Sequence, residues 1–222
     1  GLYKSARALL FASSCECCPN VLLEKLSAGK PIICSNIEPM PEFCKKIQDA
    51  RSCEVVELAA SDKVGEVEFH VAVGVETLST IEKDEDHFSR IRSLSQQEII
   101  KTVVKTKCLD EILLERGISE VDFLTIDVEG HELSVLGGMS FDIISPRIVI
   151  IEDNSHGLDQ QVKKTMESVD YIRFKKTGCN DWYVKRGDPL VTSWSRVVTE
   201  VPIFLYIVKQ KIKLFHMILN QK

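Results

Sequence analysis

The stretch VDFLTIDVEGHE (121–132) constrains this chain more tightly than any other. An apolar run suited to a strand passes directly into three acids, a glycine and a histidine. In an open α/β sheet, ligands bind at the carboxyl ends of the parallel strands. A strand ending Ile126-Asp127-Val128-Glu129-Gly130 therefore carries charge to the edge where such folds do chemistry. Acids in the first turn of a following helix are also favoured by its dipole, which accounts for Glu129 or Glu132. It accounts poorly for Asp127, because Asp is depleted inside strands.

The rest of the pattern fits that reading. RALLFA (7–12) and PIICS (31–35) read as buried strands, and PNVLLEKLSA (19–28) between them reads as a helix stopped by Gly29. Such a β-α-β unit implies parallel strands. VVELAAS (55–61) and EVEFHVAV (66–73) are expected as further strands joined by a turn at 63–65. Residues 76–96 are expected as a polar loop. Helix 109–117, strand 121–128, helix 132–139, strand 146–153 and helix 158–169 follow, with a closing hairpin over 171–186. Continuous apolar strands alternating with helices predict an α/β fold: an open, mostly parallel, Rossmann-like sheet with helices on both faces. The final hairpin adds an antiparallel edge.

Composition narrows the function. A length of 222 residues, 44% of them hydrophobic and 27% charged, is that of a soluble globular domain with a sizeable core. The formal net charge of −5 argues against nucleic acid as a partner. The chain opens on Gly1 with no charged-then-apolar leader, so a fragment or processed chain in the cytoplasm is expected. The eight cysteines lack disulfide-framework spacing, and Cys15 and Cys18 have no second pair to complete a zinc site. Reduced thiols are the simpler reading.

Two resemblances can be read from particular residues. IDVEGHELSVLGGM followed by PRIVIIE resembles the FkbM-type S-adenosylmethionine (SAM)-dependent methyltransferases. The likeness runs back through AASD (59–62) and forward through NDWYVKR, so that it spans about 37–188. It implies a class I methyltransferase fold, SAM as cofactor, and methyl transfer to a hydroxyl of a saccharide or related metabolite. By the same resemblance Glu38, at Glu38-Pro39, meets the ribose hydroxyls, and Ser61 and Asp62 meet adenine. Residues 1–36 resemble instead the C-terminal domain of retaining GT-B glycosyltransferases, through Tyr3, Ser14, Glu16, Pro19, Asn20, Glu24, Gly29 and Pro31. The domain reading is thus 1–36, 37–188 and a tail over 189–222. The methyltransferases carry a glycine-rich loop after their first strand, where this chain has Ser13-Ser14-Cys15-Glu16-Cys17-Cys18-Pro19. Side chains there would stand where bare backbone is needed. A fold that keeps the architecture without catalysis is the alternative, and a glycosyltransferase remnant a weaker one.

The chemistry gathers at strand ends. Glu38, Asp127 and Glu152-Asp153 form an acidic rim suited to a cationic sulfonium. A base is needed to take the acceptor's proton, and His131 is the natural candidate because its ordinary pKa is near 6.5. Asp127 or Glu129 orients it or acts in its place. His131 as an ordinary first-turn histidine weighs equally. Asp127 with Asp153-Asn154 also has the oxygen character of a magnesium site. In the tail, the apolar run Val201–Val208 is far short of the roughly 20 residues that span a membrane. It reads as a helix packed on the domain, or as a peripheral membrane contact with Lys209, Lys211 and Lys213 near lipid phosphates.

Overall fold

The computed structural model describes residues 9–13, 32–35, 53–73, 79–81, 85–94, 99–155 and 157–219. The expected helix over 19–28 and the charged stretch 41–50 lie outside them, as does Glu38. The chain divides into two compact units, Gly1–Ile150 and Ile151–Lys222.

The first unit contains, in chain order, strands β1 (Leu9–Ser13), β2 (Ile32–Ser35), β3 (Cys53–Val56), β4 (Ala59–Ala60) and β5 (Gly65–Ala72). Helix α1 (Glu85–Leu94), strand β6 (Ile99–Lys107), helix α2 (Leu109–Glu115), strand β7 (Phe123–Asp127), helix α3 (Glu132–Gly137) and strand β8 (Ile148–Glu152) follow. Strand β8 runs past the division at Ile150. One sheet takes the order β3-β2-β1-β7-β8, with β1 parallel to both β2 and β7 and β2 parallel to β3. The register pairs Leu9 with Phe123 and Ser13 with Asp127, so β1 and β7 end at the same level. Every residue of β7 is buried, as are Ile148 to Ile151 of β8. That is the signature of strands covered on both faces, and it explains their unbroken apolar sequences.

The single open sheet expected from sequence gives way to two mixed sheets. Stretch 55–61 divides between β3 and β4, and β4 joins a second sheet of order β4-β6-β5. There β6 lies parallel to β4 and antiparallel to β5 along its whole length. So β5 does not pair with the strand before it. Its sequence alternates Glu66, Glu68 and His70 with Val67, Phe69 and Val71, but burial rises along the strand, from an exposed start at Gly65 and Glu66 to buried Phe69, His70 and Ala72. Its partner β6 is largely exposed.

Helix α1 also corrects the expected loop over 76–96. Its apolar positions are sparse, but Phe88 and Ile91 stand three apart on one face and pack with Ala72 and Ile99. The ring of His70 meets Phe88 edge-on at 4.9 Å.

The second unit contains the end of β8, helix α4 (Gln161–Ser168), strands β9 (Tyr171–Thr177) and β10 (Asn180–Lys185), and helix α5 (Ser193–Leu219). The strands take the order β8-β10-β9, with β9 and β10 forming the expected antiparallel hairpin. Ile151, Met166, Tyr171, Tyr183 and Val184 are fully buried in this unit. Helix α5 is held by its buried side: Thr199 Oγ1 donates to the Phe174 carbonyl at 3.0 Å, and Ile203 is buried beside Gly157. Glu200 accepts from Arg173 Nε and Nη2, both at 3.0 Å, and from Lys163 Nζ at 2.8 Å. Pro202 lies inside this helix and has no N–H to offer the carbonyl one turn back.

Candidate functional site

The turn after β7 is built by its own residues. Asp127 closes the strand and is buried. Glu129 and Gly130 then take positive φ, 49° and 101°, which reverses the chain within two residues. For a glutamate this left-handed conformation is costly, and such strain persists only where neighbours enforce it. Two contacts do so. Thr80 Oγ1 donates to the Glu129 carbonyl at 2.9 Å. The Glu132 carboxylate reaches back to accept from the N–H of Gly130 at 3.1 Å and, more loosely, of Val128 at 3.4 Å. Glu132 is therefore the clasp of the turn. Burial pushes its carboxyl above the usual carboxylate range, against the pull of these hydrogen bonds.

His131 follows at the start of α3 and is 8% exposed. Its Nε2 lies 3.0 Å from Oγ of Ser61, which is itself buried just beyond β4. The Ser61 hydroxyl has one proton, and it is within reach of Asp62 Oδ1 at 3.2 Å. In the tautomer with Nε2 protonated, Nε2–H donates to Ser61, and Ser61 O–H donates to the exposed Asp62 carboxylate. Residues seventy positions apart in sequence thus form one polar chain from solvent to the buried ring.

That chain depends on a residue whose role is not apparent from sequence. A Cβ on Gly138, just past α3, would stand 2.0 Å from the Ser61 carbonyl oxygen, and one on Gly137 would stand 3.3 Å from the Asp62 Cβ. The glycine pair lets the end of α3 lie directly against the backbone that carries Ser61 and Asp62. Gly138 has negative φ, so space and not backbone freedom requires it. Its carbonyl accepts from Asp110 N–H at 3.2 Å, and the Asp110 carboxylate accepts from Ser140 N–H, which ties α2 to the same corner.

Of the residues singled out from sequence, Asp127, Glu129 and His131 share the turn after β7. Ser61 and Asp62 come from the second sheet to meet His131. Ser61 has its hydroxyl committed to that partner, which leaves the Asp62 carboxylate as the accessible group of the pair. Thr80 lay within the stretch expected as a loop, and nothing in its sequence setting marked it. In the second unit, Asp153 Oδ1 accepts from Ser155 N–H at 3.0 Å and from the Ser155 hydroxyl, and Oδ2 from Lys176 Nζ at 3.2 Å. Burial raises its carboxyl, but Ser155 and Lys176 more than offset this and hold it below the usual range. A carboxylate already neutralised by an ammonium is a poor ligand for magnesium, and Asp153 does not fit that expectation.

Comparison with curated proteins and with solved structures finds no match. The family model for the methyltransferase FkbM domain matches residues 16–175. The match starts inside segment 1–36, and no comparison supports the likeness of that segment to glycosyltransferases. It takes in the three-stranded sheet, strands β2, β3, β7 and β8 of the larger one, the turn after β7 and the Ser61–His131 pair, and the chain belongs to the FkbM methyltransferase domain family.

Proposed function

We propose that this chain is a SAM-dependent O-methyltransferase acting on a hydroxyl of a saccharide or related metabolite. The observation that supports it most is the buried hydrogen bond between His131 and Ser61, next to the acidic turn after β7. The residues present fit a cationic cofactor: Asp127 and Glu129 supply negative charge at the strand end, and Asp62 offers an exposed carboxylate next to Ser61. By family resemblance Glu38 and Asp62 hold the ribose and adenine ends. When bound, SAM supplies an electrophilic methyl group.

The chain's own part is positioning and proton removal. His131 takes the proton of the acceptor hydroxyl, and the imidazolium so formed is stabilised by its Nε2–H bond to Ser61 and, through Ser61, by Asp62. Ser61 acts here as a positioning residue. The strained turn fixes the acids on a rigid element and does not leave them on a loose loop.

Calorimetric titration of the purified chain with SAM, with a nucleotide sugar as control, tests the cofactor first. Binding that is lost in Glu38→Ala and Asp62→Ala supports the reading, and screening of glycan acceptors follows. No binding to a folded sample would mean a non-catalytic member of the family. Binding of the nucleotide sugar alone would favour a glycosyltransferase remnant. With an acceptor in hand, His131→Gln should lower turnover by roughly a hundredfold to ten-thousandfold while SAM binding is kept. Ser61→Ala should lower it less and displace the pH profile, which loss of packing alone would not do.

A further inference from the structure

Helix α5 shows two different faces. Thr199, Glu200 and Ile203 hold it to its own unit. On the other side Val197, Val201, Phe204, Leu205, Val208 and Ile212 are all exposed, with Phe204 at 64%. At about 3.6 residues per turn these positions fall on one stripe covering roughly a third of the circumference. Lys209 and Lys211 fall on its two borders. From residue 201 to residue 222 the sequence has no Asp or Glu, although the chain as a whole carries −5. An apolar stripe this long is not left to water without reason.

We propose that this face of α5 lies in the plane of an anionic membrane surface, with its apolar stripe among the acyl chains and Lys209 and Lys211 at the phosphates. The helix has 27 residues but is not apolar enough over a spanning length to cross a bilayer, so it lies along the surface. The lysines at both borders select the occupant. Their hydrocarbon stems extend the apolar face while their ammonium groups reach the headgroup level. A second copy packed on the stripe in parallel would bring like charges together, with no acid on this stretch to answer them.

The test uses the full chain and sedimentation with vesicles of phosphatidylcholine alone or in equal parts with phosphatidylglycerol. The expected result is partition onto the anionic vesicles that weakens with salt. Replacing Lys209 and Lys211 by Gln should reduce it by roughly fivefold per lysine. Leu205→Glu should abolish it with the circular dichroism of the fold unchanged. Equal partition of Leu205→Glu and wild type would overturn the proposal, as would no partition onto either vesicle. So would concentration-dependent self-association without lipid that Leu205→Glu removes.

Discussion

The Arg173 cluster in the second unit and the turn after β7 in the first are both buried and polar, yet they are built on opposite terms. Arg173 is 1% exposed at its side chain and donates to Asp181 Oδ2 at 2.5 Å and to Glu200. Lys176 bridges Asp181 and Asp153, and Lys163 joins Glu200. Each charge there meets its opposite. Burial alone would lower the Arg173 pKa and raise that of Glu200, but the ion pairs reverse both shifts. At the turn after β7, the buried Glu132 is held by backbone N–H groups and kept above its usual pKa. Among the described residues, the buried side-chain polar atoms without a partner are His70 Nδ1 and Glu111 Oε2, both in the first unit. Compensated charge is what a structural clamp looks like. A buried carboxyl held by backbone N–H groups, with its pKa raised, is built the other way.

Breaking the compensated side should have the largest effect. Arg173→Ala leaves Asp181 and Glu200 without their shared cation, and a loss of about 3–5 kcal/mol in urea-unfolding stability is expected. A loss below about 1 kcal/mol would show that the cluster behaves as a solvated surface network. Gly138→Ala comes next. Its methyl must displace the Ser61 backbone, at a cost of about 1–3 kcal/mol, and SAM binding or turnover should fall with it. Stability lost with both of these intact would separate the glycine from the site.

Glu132→Gln should have the smallest effect and sharpens the contrast best. The amide oxygen can still accept from Gly130 and Val128, so little stability is lost at any pH. Because the folded pKa of Glu132 is raised, its contribution is fully present below the usual value near 4.5 and is lost as pH rises through the folded pKa. Relative to wild type, Glu132→Gln should therefore gain stability as pH rises from the usual value near 4.5 to the raised folded one. Asp153 and Glu200 have the opposite sign: their lowered pKa values stabilise above the unfolded value, and that stability is lost as pH falls through the folded ones. Relative to wild type, Glu200→Gln should accordingly lose stability as pH rises from the lowered folded value to the usual one near 4.5, with a constant deficit above it. Parallel pH profiles for the two variants would contradict the distinction drawn here.

What could be read from the sequence followed burial. Strands β7 and β8 are buried on both faces and announce themselves as apolar runs, and the β9–β10 hairpin has a clear turn. Strand β6 is exposed on most of its length, so neither an unbroken apolar run nor a strict alternation marks it. Helix α1 shows its inner face only through Phe88 and Ile91. Asp127, Glu129 and His131 were legible because they are contiguous. That Ser61 would meet His131 was not, because the pairing depends on a second sheet whose central strand is β6. Thr80 and Gly138 act through isolated contacts with residues distant in sequence, and such contacts leave no periodic trace.

The glycine pair at the end of α3 has a consequence for anyone redesigning this chain. Gly137 ends the helix where propensity alone favours alanine by about 1 kcal/mol, and Gly138 follows it with a negative φ that alanine adopts freely. A stabilising protocol that scores residues by local preference would replace both. At 137 the new methyl would press on Asp62, and at 138 it would collide with the Ser61 carbonyl. The redesigned helix would look better on its own terms and would push apart the two sheets' contributions to the His131 chain. Here thermal robustness and the geometry around His131 draw on the same few ångströms of space.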